Sequence, residues 1–520
     1  MSLPVGHAQN LLLGPLARRV RAKIELDPRL PTGPERRLQL ATDPPSPERA
    51  CSFRLPLCVE YEHRTEHWAA DALSFLEHAY RRAVYGASLP APLTTEHPLV
   101  FRLVPRDTER NASAHGSAAD ADVELATELV TDLGAAFERA GMVCRFGVTT
   151  APERTRAHSA NHRDSNESGD DETAIANRDA LRRAAWHCVG EAIAARLDAA
   201  EGPTTRRAYA QALAWELATP SEYPADPDRA LLVRANAQPS LGISSGNPTY
   251  DASALALLYS YLDFSLGSPQ PLGLPTGLLA MSAQPRTAET ARFQNEPDWL
   301  DVLRDSLGDS QLELARQLNA FALARSRMGH GDGALSPLHW LTALAPLVPD
   351  WELPLNTLPR KVASLYPIQP LGFIAVRVEL DHHNTSIHYA LRADWESPSP
   401  FTWTVVKLDA QTQVLGRMDL AFEPRATAAE KQLEEFGATT ALLVLGTNLG
   451  GLDTTHLLDP DRAPFEPHGC TVYVTPYQNR GVDGFRCQVS GVRFQVSGVR
   501  CQVSGFRFQV SGFRCQNGAR

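Results

Sequence analysis

The spacing of apolar residues changes once along this chain, near position 365, and that change limits the fold more than any motif does. Upstream, apolar side chains recur every three to four residues through 178–199, 204–219, 250–267, 298–308 and 310–328. A period near 3.6 gathers them on one side of a helix. Thr204 and Asp298 stand where N-caps belong, and Pro220, Gly267 and Gly308 stand where helices stop. Downstream the period is two, in GFIAVRVELD (372–381), SIHYALRADW (386–395), FTWTVVKLD (401–409), VLGRMDLAFE (414–423), TTALLVLGT (439–447) and CTVYVT (470–475). Alternation puts every second side chain on one face of a strand, and six such runs separated by turn residues predict an antiparallel sandwich or barrel. The sandwich is the expected form, with Pro367 and Pro370 as the hinge before it.

The predicted fold class is therefore α+β. At 520 residues the chain is too long for a single core. Residues 1–50, rich in Pro and Arg, read as disordered or loosely attached, and 51–150 as a mixed α/β region. The latter holds a strand in FRLPLCVEY, a helix in ADALSFLEHAYRRAVYG and a strand in LVFRLVP. Residues 151–177 form a polar loop, 178–364 a mainly helical domain, 365–476 the sandwich and 477–520 a tail of seven-residue repeats. A heptad suggests a coiled coil, but a Gly in every unit and period-two alternation oppose one. Near-identical units look like a translated tandem repeat without function, or else a sticky β segment.

Charge excludes one class of partner. The formal net charge is −10, spread along the chain, which is not the basic footprint of a nucleic-acid binder. No apolar run reaches the length of about 20 residues that spans a bilayer. The start, MSLPVGHAQNLLLGPLARRVRAK, makes a poor signal peptide, so either the protein is cytoplasmic or its true start lies upstream. Cysteines pull towards export. Of the eight, Cys51, Cys58, Cys144, Cys188 and Cys470 lie outside the tail, and none has zinc-knuckle or C-x-x-C spacing. Two disulfides among Cys51, Cys58, Cys144 and Cys188, of open connectivity, fit an exported protein; five free thiols fit a cytoplasmic one. Export is the expectation, and the Ala, Arg, Leu and Pro bias suggests a GC-rich bacterial source.

One stretch resembles chemistry. In WHCVGEAIAARL (186–197), His187 and Glu191 stand four apart and so stack on one helix face, which small alanines line. The next helix carries Glu216, and a helical hairpin would bring it beside that face. This order, an active-site helix followed by one bearing a Glu, is similar to the gluzincin class of zinc metallopeptidases. More closely, residues 51–475 resemble uncharacterised exported bacterial proteins with a degenerate peptidase-like helical domain and a β-sandwich. The resemblance implies a vestigial metal site at His187, Glu191 and Glu216. It departs from H-E-x-x-H at two places: Cys188 stands where the general base belongs, and Glu191 where the second His belongs. One His and two carboxylates still suit zinc, but the bound water would lack a neighbouring base. The expectation is thus a pseudoenzyme with no catalytic residue and no required cofactor, acting as an accessory or binding protein. A divergent zinc hydrolase using His187, Glu191 and Glu216 is one alternative, and a structural surface protein another.

Other sites read as structural. His158, His162 and Asp164 fall in the polar loop, His382 and His383 in a hairpin turn, and Asp453, Asp459 and Asp461 lack EF-hand spacing. Ser244 and Ser245 have no nucleophile elbow around them, and RMGHGDGAL lacks the Lys-Ser/Thr of a phosphate loop. Trp395 and Trp403 belong either to a ligand face or to the sandwich core.

Overall fold

The computed structural model describes residues 48–92, 98–106, 126–129, 142–149, 167–198, 200–223, 226–243, 248–267, 270–284, 297–308, 311–328, 347–381, 387–396, 400–420, 422–423, 425–434, 436–450 and 468–478. They contain both helices and antiparallel and mixed sheets, an α+β architecture.

The first sheet has the order β1-β2-β3-β5-β4, built from β1 (Glu48–Cys51), β2 (Leu57–Tyr61), β3 (Leu99–Arg106), β4 (Ala126–Leu129) and β5 (Met142–Thr149). The β2–β3 and β3–β5 pairs are parallel and the outer two pairs antiparallel. A parallel pair needs a crossover, and helix α1 (Glu66–Tyr80) supplies one between β2 and β3. Its Trp68, Ala72, Leu76 and Ala79 recur every three or four residues and are buried. The helix ends in a wider π turn, Arg81–Gly86.

Seven more helices follow among the described residues: α2 (Glu167–Leu197), α3 (Pro203–Leu217), α4 (Asp226–Ala237), α5 (Pro248–Ser265), α6 (Gly273–Ala283), α7 (Trp299–Ser306) and α8 (Gln311–Ser326). Helix α2 begins inside the stretch expected as a polar loop, so its first turns are polar and its apolar faces come later. From Leu181 to Leu197 it is buried on most sides, with Ala184, Ala185, Cys188, Val189, Ala192 and Ile193 all covered. Small residues let α3 pack closely. A Cβ at Gly190 would lie 2.4 Å from the Cα of Ala210. Cys144 of β5 is bonded to Cys188 of α2, joining this layer to the sheet, and Cys51 is bonded to Cys58 across the β1–β2 hairpin. Cys470 is free and buried.

The remaining strands are β6 (Trp351–Leu353), β7 (Arg360–Ala363), β8 (Phe373–Glu379), β9 (Ile387–Trp395), β10 (Phe401–Leu408), β11 (Val414–Asp419), β12 (Ala428–Leu433), β13 (Ala441–Asn448) and β14 (Cys470–Gln478). They form two sheets, β11-β10-β13-β8-β6 and β12-β9-β14-β7. One apolar cluster draws on both, with Ile374, Val376, Phe401, Trp403 and Val444 from the first and Tyr389, Leu391, Val472 and Val474 from the second. Trp395 and Trp403 are buried in it, ring centroids 6.1 Å apart, and so line no ligand face.

The five-stranded sheet is covered on its other face too. Val406, Leu408, Ala375 and Leu443 pack there with Ala322 of α8, and Asn319 of the same helix donates to the hydroxyl of Thr404. The expected hinge is a seam instead. Ile243 N donates to Pro370 O at 3.1 Å, Gln369 N to Ser240 O at 3.0 Å and Phe373 N to Pro239 O at 2.9 Å. Arg325 closes the seam by donating to Leu241 O at 2.7 Å with its guanidinium over the Phe373 ring. Prolines at 367 and 370 limit the backbone, but satisfied amides fix it.

Candidate functional site

His187 stands on α2, one residue before the disulfide at Cys188. Its Nε2 lies 2.9 Å from the hydroxyl of Tyr223. That hydroxyl donates to Asp228 Oδ2 at 2.9 Å, and the indole N–H of Trp215 donates to the same oxygen at 2.8 Å. The Tyr223 proton is thus committed to the carboxylate, so the neutral His187 ring must donate through Nε2. Arg183, one turn before His187, pairs with Asp228 Oδ1 and lays its guanidinium 4.6 Å from the centre of the Tyr223 ring. Asp228 is 1% exposed.

Burial alone would raise the pKa of Asp228. The charge and hydrogen bond of Arg183, with Trp215 and His187, outweigh it and hold the carboxyl below its usual range. His187 moves the other way. Burial, then the positive charge of Arg183, lower it to about 4 against the opposing pull of Asp228, and Arg207 lowers it further. Tyr223 is pushed up, chiefly by burial and then by Asp228, with Arg183 opposing. At neutral pH the cluster is a neutral imidazole and a neutral phenol around one buried ion pair. Every group in it has a partner inside the fold, which suits a structural network.

Glu191 and Glu216 do not join it. Glu191 is buried, with the guanidinium of Arg207 4.0 Å from its Oε1. Glu216 sits at the far end of α3 and accepts from Leu272 N at 3.1 Å. Asp263 of α5 accepts from Leu274 N at 2.8 Å. The two carboxyl groups therefore cap the start of α6, whose first amides have no partner within the helix. Among the described residues no three His, Cys, Asp or Glu side chains are grouped to hold a metal ion. Cys188, in the place of a general base, is occupied by its bond to Cys144. Sequence reading missed Tyr223, Asp228 and Arg183. Only Arg183, one turn before His187 on the same helix, carried a local signal.

The helix cap has a measurable consequence. Burial, and after it the neighbouring Asp263, raise Glu216 to about 8 against the Ser260 and Leu272 hydrogen bonds. Folded protein then binds a proton that the unfolded chain, near 4.5, has lost. This contribution to stability is full below about 4.5 and disappears as pH rises through about 8. Glu216→Gln is expected to flatten the fall of the thermal midpoint across that window and to exceed the parent above it. Midpoints recorded from acid to alkaline pH check this, and parallel profiles for parent and variant would rule Glu216 out as the group.

His158, His162, Asp164, Ser244, Ser245, His382, His383, Asp453, Asp459, Asp461 and the repeat tail lie outside the described residues. No protein-family model matches the chain, and no curated protein matches it. No helix among the described residues is long and apolar enough to cross a membrane.

Proposed function

We propose that this chain is a non-catalytic binding or accessory protein, a helical scaffold like that of a degenerate zinc metallopeptidase joined to a β-sandwich. The observation that carries the reading is the separation of the three residues a metal would need. His187 is engaged by Tyr223, Glu191 lies beside Arg207, and Glu216 caps α6. Zinc chemistry needs ligands converging at about 2.0–2.2 Å on one ion and a base to take the proton of its water. His187 and Glu216 would have to leave hydrogen bonds made within the fold, and Glu191 its neighbouring guanidinium, to supply that.

The sandwich reading rests on the cluster shared by the two C-terminal sheets and on the alternation of Phe401, Trp403 and Val405 towards it. Export is the compartment that suits two disulfides in so short a count of cysteines. Recognition is the role this reading assigns to the two-sheet unit.

The test is metal content and proteolysis by the purified full chain. Expected are substoichiometric zinc after exposure to excess metal and no cleavage of casein, with or without chelator. About one zinc per chain, with chelator-sensitive cleavage that His187→Ala abolishes, would establish a divergent hydrolase and end this reading.

A further inference from the structure

We infer that the ring closed by Cys51 and Cys58 is an inhibitory loop that offers its Phe53–Arg54 bond to a serine endopeptidase with an apolar primary pocket. The ring reads CSFRLPLC and is the turn of the β1–β2 hairpin. Leu55, Leu57 and Cys58 are buried beneath it. Phe53 is 102% exposed, so the whole side chain stands in water, and Arg54 beside it is exposed too. Aromatic and Arg side chains are enriched at the centres of protein interfaces. One presented aromatic, with its leucine neighbours turned away, fits a pocket. Lying on a membrane asks instead for a whole apolar face.

The backbone is held on both sides of that bond. Ser52 N donates to Leu57 O at 2.9 Å, Leu57 N to Leu55 O at 2.8 Å and Leu99 N to Pro56 O at 2.8 Å. The Ser52 hydroxyl donates to Glu77 Oε1 of α1 at 2.5 Å and accepts from Arg54 N at 3.3 Å and Leu55 N at 3.2 Å. One hydroxyl before the Phe53–Arg54 bond thus holds the two amides after it, and a loop so fixed has little left to order on binding. The chain before Phe53 is extended. β1 ends its sheet among the described strands. Ser52 N points at β2, so Cys51 and Cys58, with Cα atoms 4.0 Å apart, are a non-hydrogen-bonded pair. The N–H and C=O of Cys51 therefore face the outer edge, where an enzyme that binds its substrate as an added strand can pair with them.

In such an enzyme the serine oxygen adds to the Phe53 carbonyl carbon, and the serine proton passes through the catalytic histidine to the Arg54 nitrogen. The Phe53–Arg54 bond breaks, leaving an ester on the enzyme and an amine at Arg54. From a flexible peptide that amine departs and water takes its place. Here the disulfide keeps both ends in one molecule and the Ser52 hydroxyl keeps Arg54 N beside the ester. The amine attacks the ester carbon ahead of water, reforms the peptide bond and returns the proton through the histidine to the serine. The enzyme stays occupied with no net reaction. The ring takes no part in the His187 network, so inhibition and metal content can fail separately.

Inhibition of α-chymotrypsin by the full chain tests this, read as hydrolysis of a small p-nitroanilide substrate ending in Phe. Parent protein should inhibit at micromolar concentration or below. Phe53→Ala should weaken inhibition about a hundredfold. Phe53→Lys should transfer it to trypsin, whose pocket carries a carboxylate. Both changes fall on a fully exposed side chain, so far-UV circular dichroism should match the parent. Ser52→Ala should turn the loop from inhibitor to substrate, its Phe53–Arg54 bond cut about tenfold faster by mass spectrometry. Equal inhibition by parent and Phe53→Ala would overturn the proposal, since other segments would then be competing as substrates. So would no inhibition at about 10 μM. Binding of the parent, but not of Phe53→Ala, to phosphatidylglycerol vesicles without inhibition would also overturn it and place the aromatic on a membrane.

Discussion

Gly190→Val is expected to yield no folded protein, and Gly190→Ala to lower the thermal midpoint by roughly 5–10 °C, a loss near 3 kcal/mol. The sign is the informative part. At an exposed helix position the Gly-to-Ala change stabilises by about 1 kcal/mol, because glycine has more backbone freedom to lose. At 190 the new Cβ would stand 2.4 Å from the Cα of Ala210 and 2.6 Å from its Cβ, so α2 and α3 must move apart. Separation costs contacts along the whole interface, including those around Ala184, Val189 and Leu213. Ala210→Gly in the Gly190→Ala background should recover part of the loss. It removes the Cβ clash and leaves the Cα clash. A midpoint that rises with Gly190→Ala would show that the two helices are not in contact there.

Gly190 also shows what the sequence makes legible. A glycine within an alanine-rich apolar helix announces a close neighbour, though not which one. The strands after 365 were readable because short runs rich in apolar and β-branched residues stand between turn residues, even where the sheet is covered on both faces. Val414 to Asp419 and Phe401 to Leu408 fall where that pattern places them. β12 was not readable. Ala-Ala-Glu-Lys-Gln-Leu favours a helix, and pairing with β9 at a solvated edge overrides that preference. Helix α6, Gly-Leu-Pro-Thr-Gly-Leu-Leu-Ala-Met-Ser-Ala, was hidden for the opposite reason. Its glycines and proline argue against a helix, and burial of Leu274, Leu278 and Leu279 with two capping carboxylates decides for one. Helix α4 offers too few apolar positions to announce itself, yet it carries Asp228.

The same limit governed the site. His187 and Glu191 were singled out because they stand at helical spacing, a local signal. What His187 touches was set by Tyr223, 36 residues on, and by Asp228 beyond it. Nothing in a linear pattern couples positions at such separations. Glu216 was expected to turn towards His187 across the α2–α3 hairpin. It faces α6 instead, because the unpaired amide of Leu272 is there and a half-buried carboxylate needs a donor.

Asp228→Ala should cost about 3–5 kcal/mol, read as a fall in the urea midpoint followed by far-UV circular dichroism. The carboxylate is the common acceptor for Arg183, Trp215 and Tyr223, so its removal strands one buried cation and two buried donors at once. Asp228→Asn keeps the shape and one acceptor oxygen but leaves Arg183 without its counter-ion, so an intermediate loss is expected. The decisive comparison pairs that change with a second. Arg183→Met alone leaves Asp228 as an unpaired buried anion and should destabilise strongly. Arg183→Met with Asp228→Asn removes both charges and should recover most of the stability, since neutral pairs of similar volume often replace buried ion pairs at little cost. Full additivity of the two single losses would mean that the ions do not interact, and the network around His187 would then be no more than four side chains that happen to be near one another. Recovery in the double variant would place the energy of this site in one ion pair that the fold itself uses, leaving His187 as its neutral spectator.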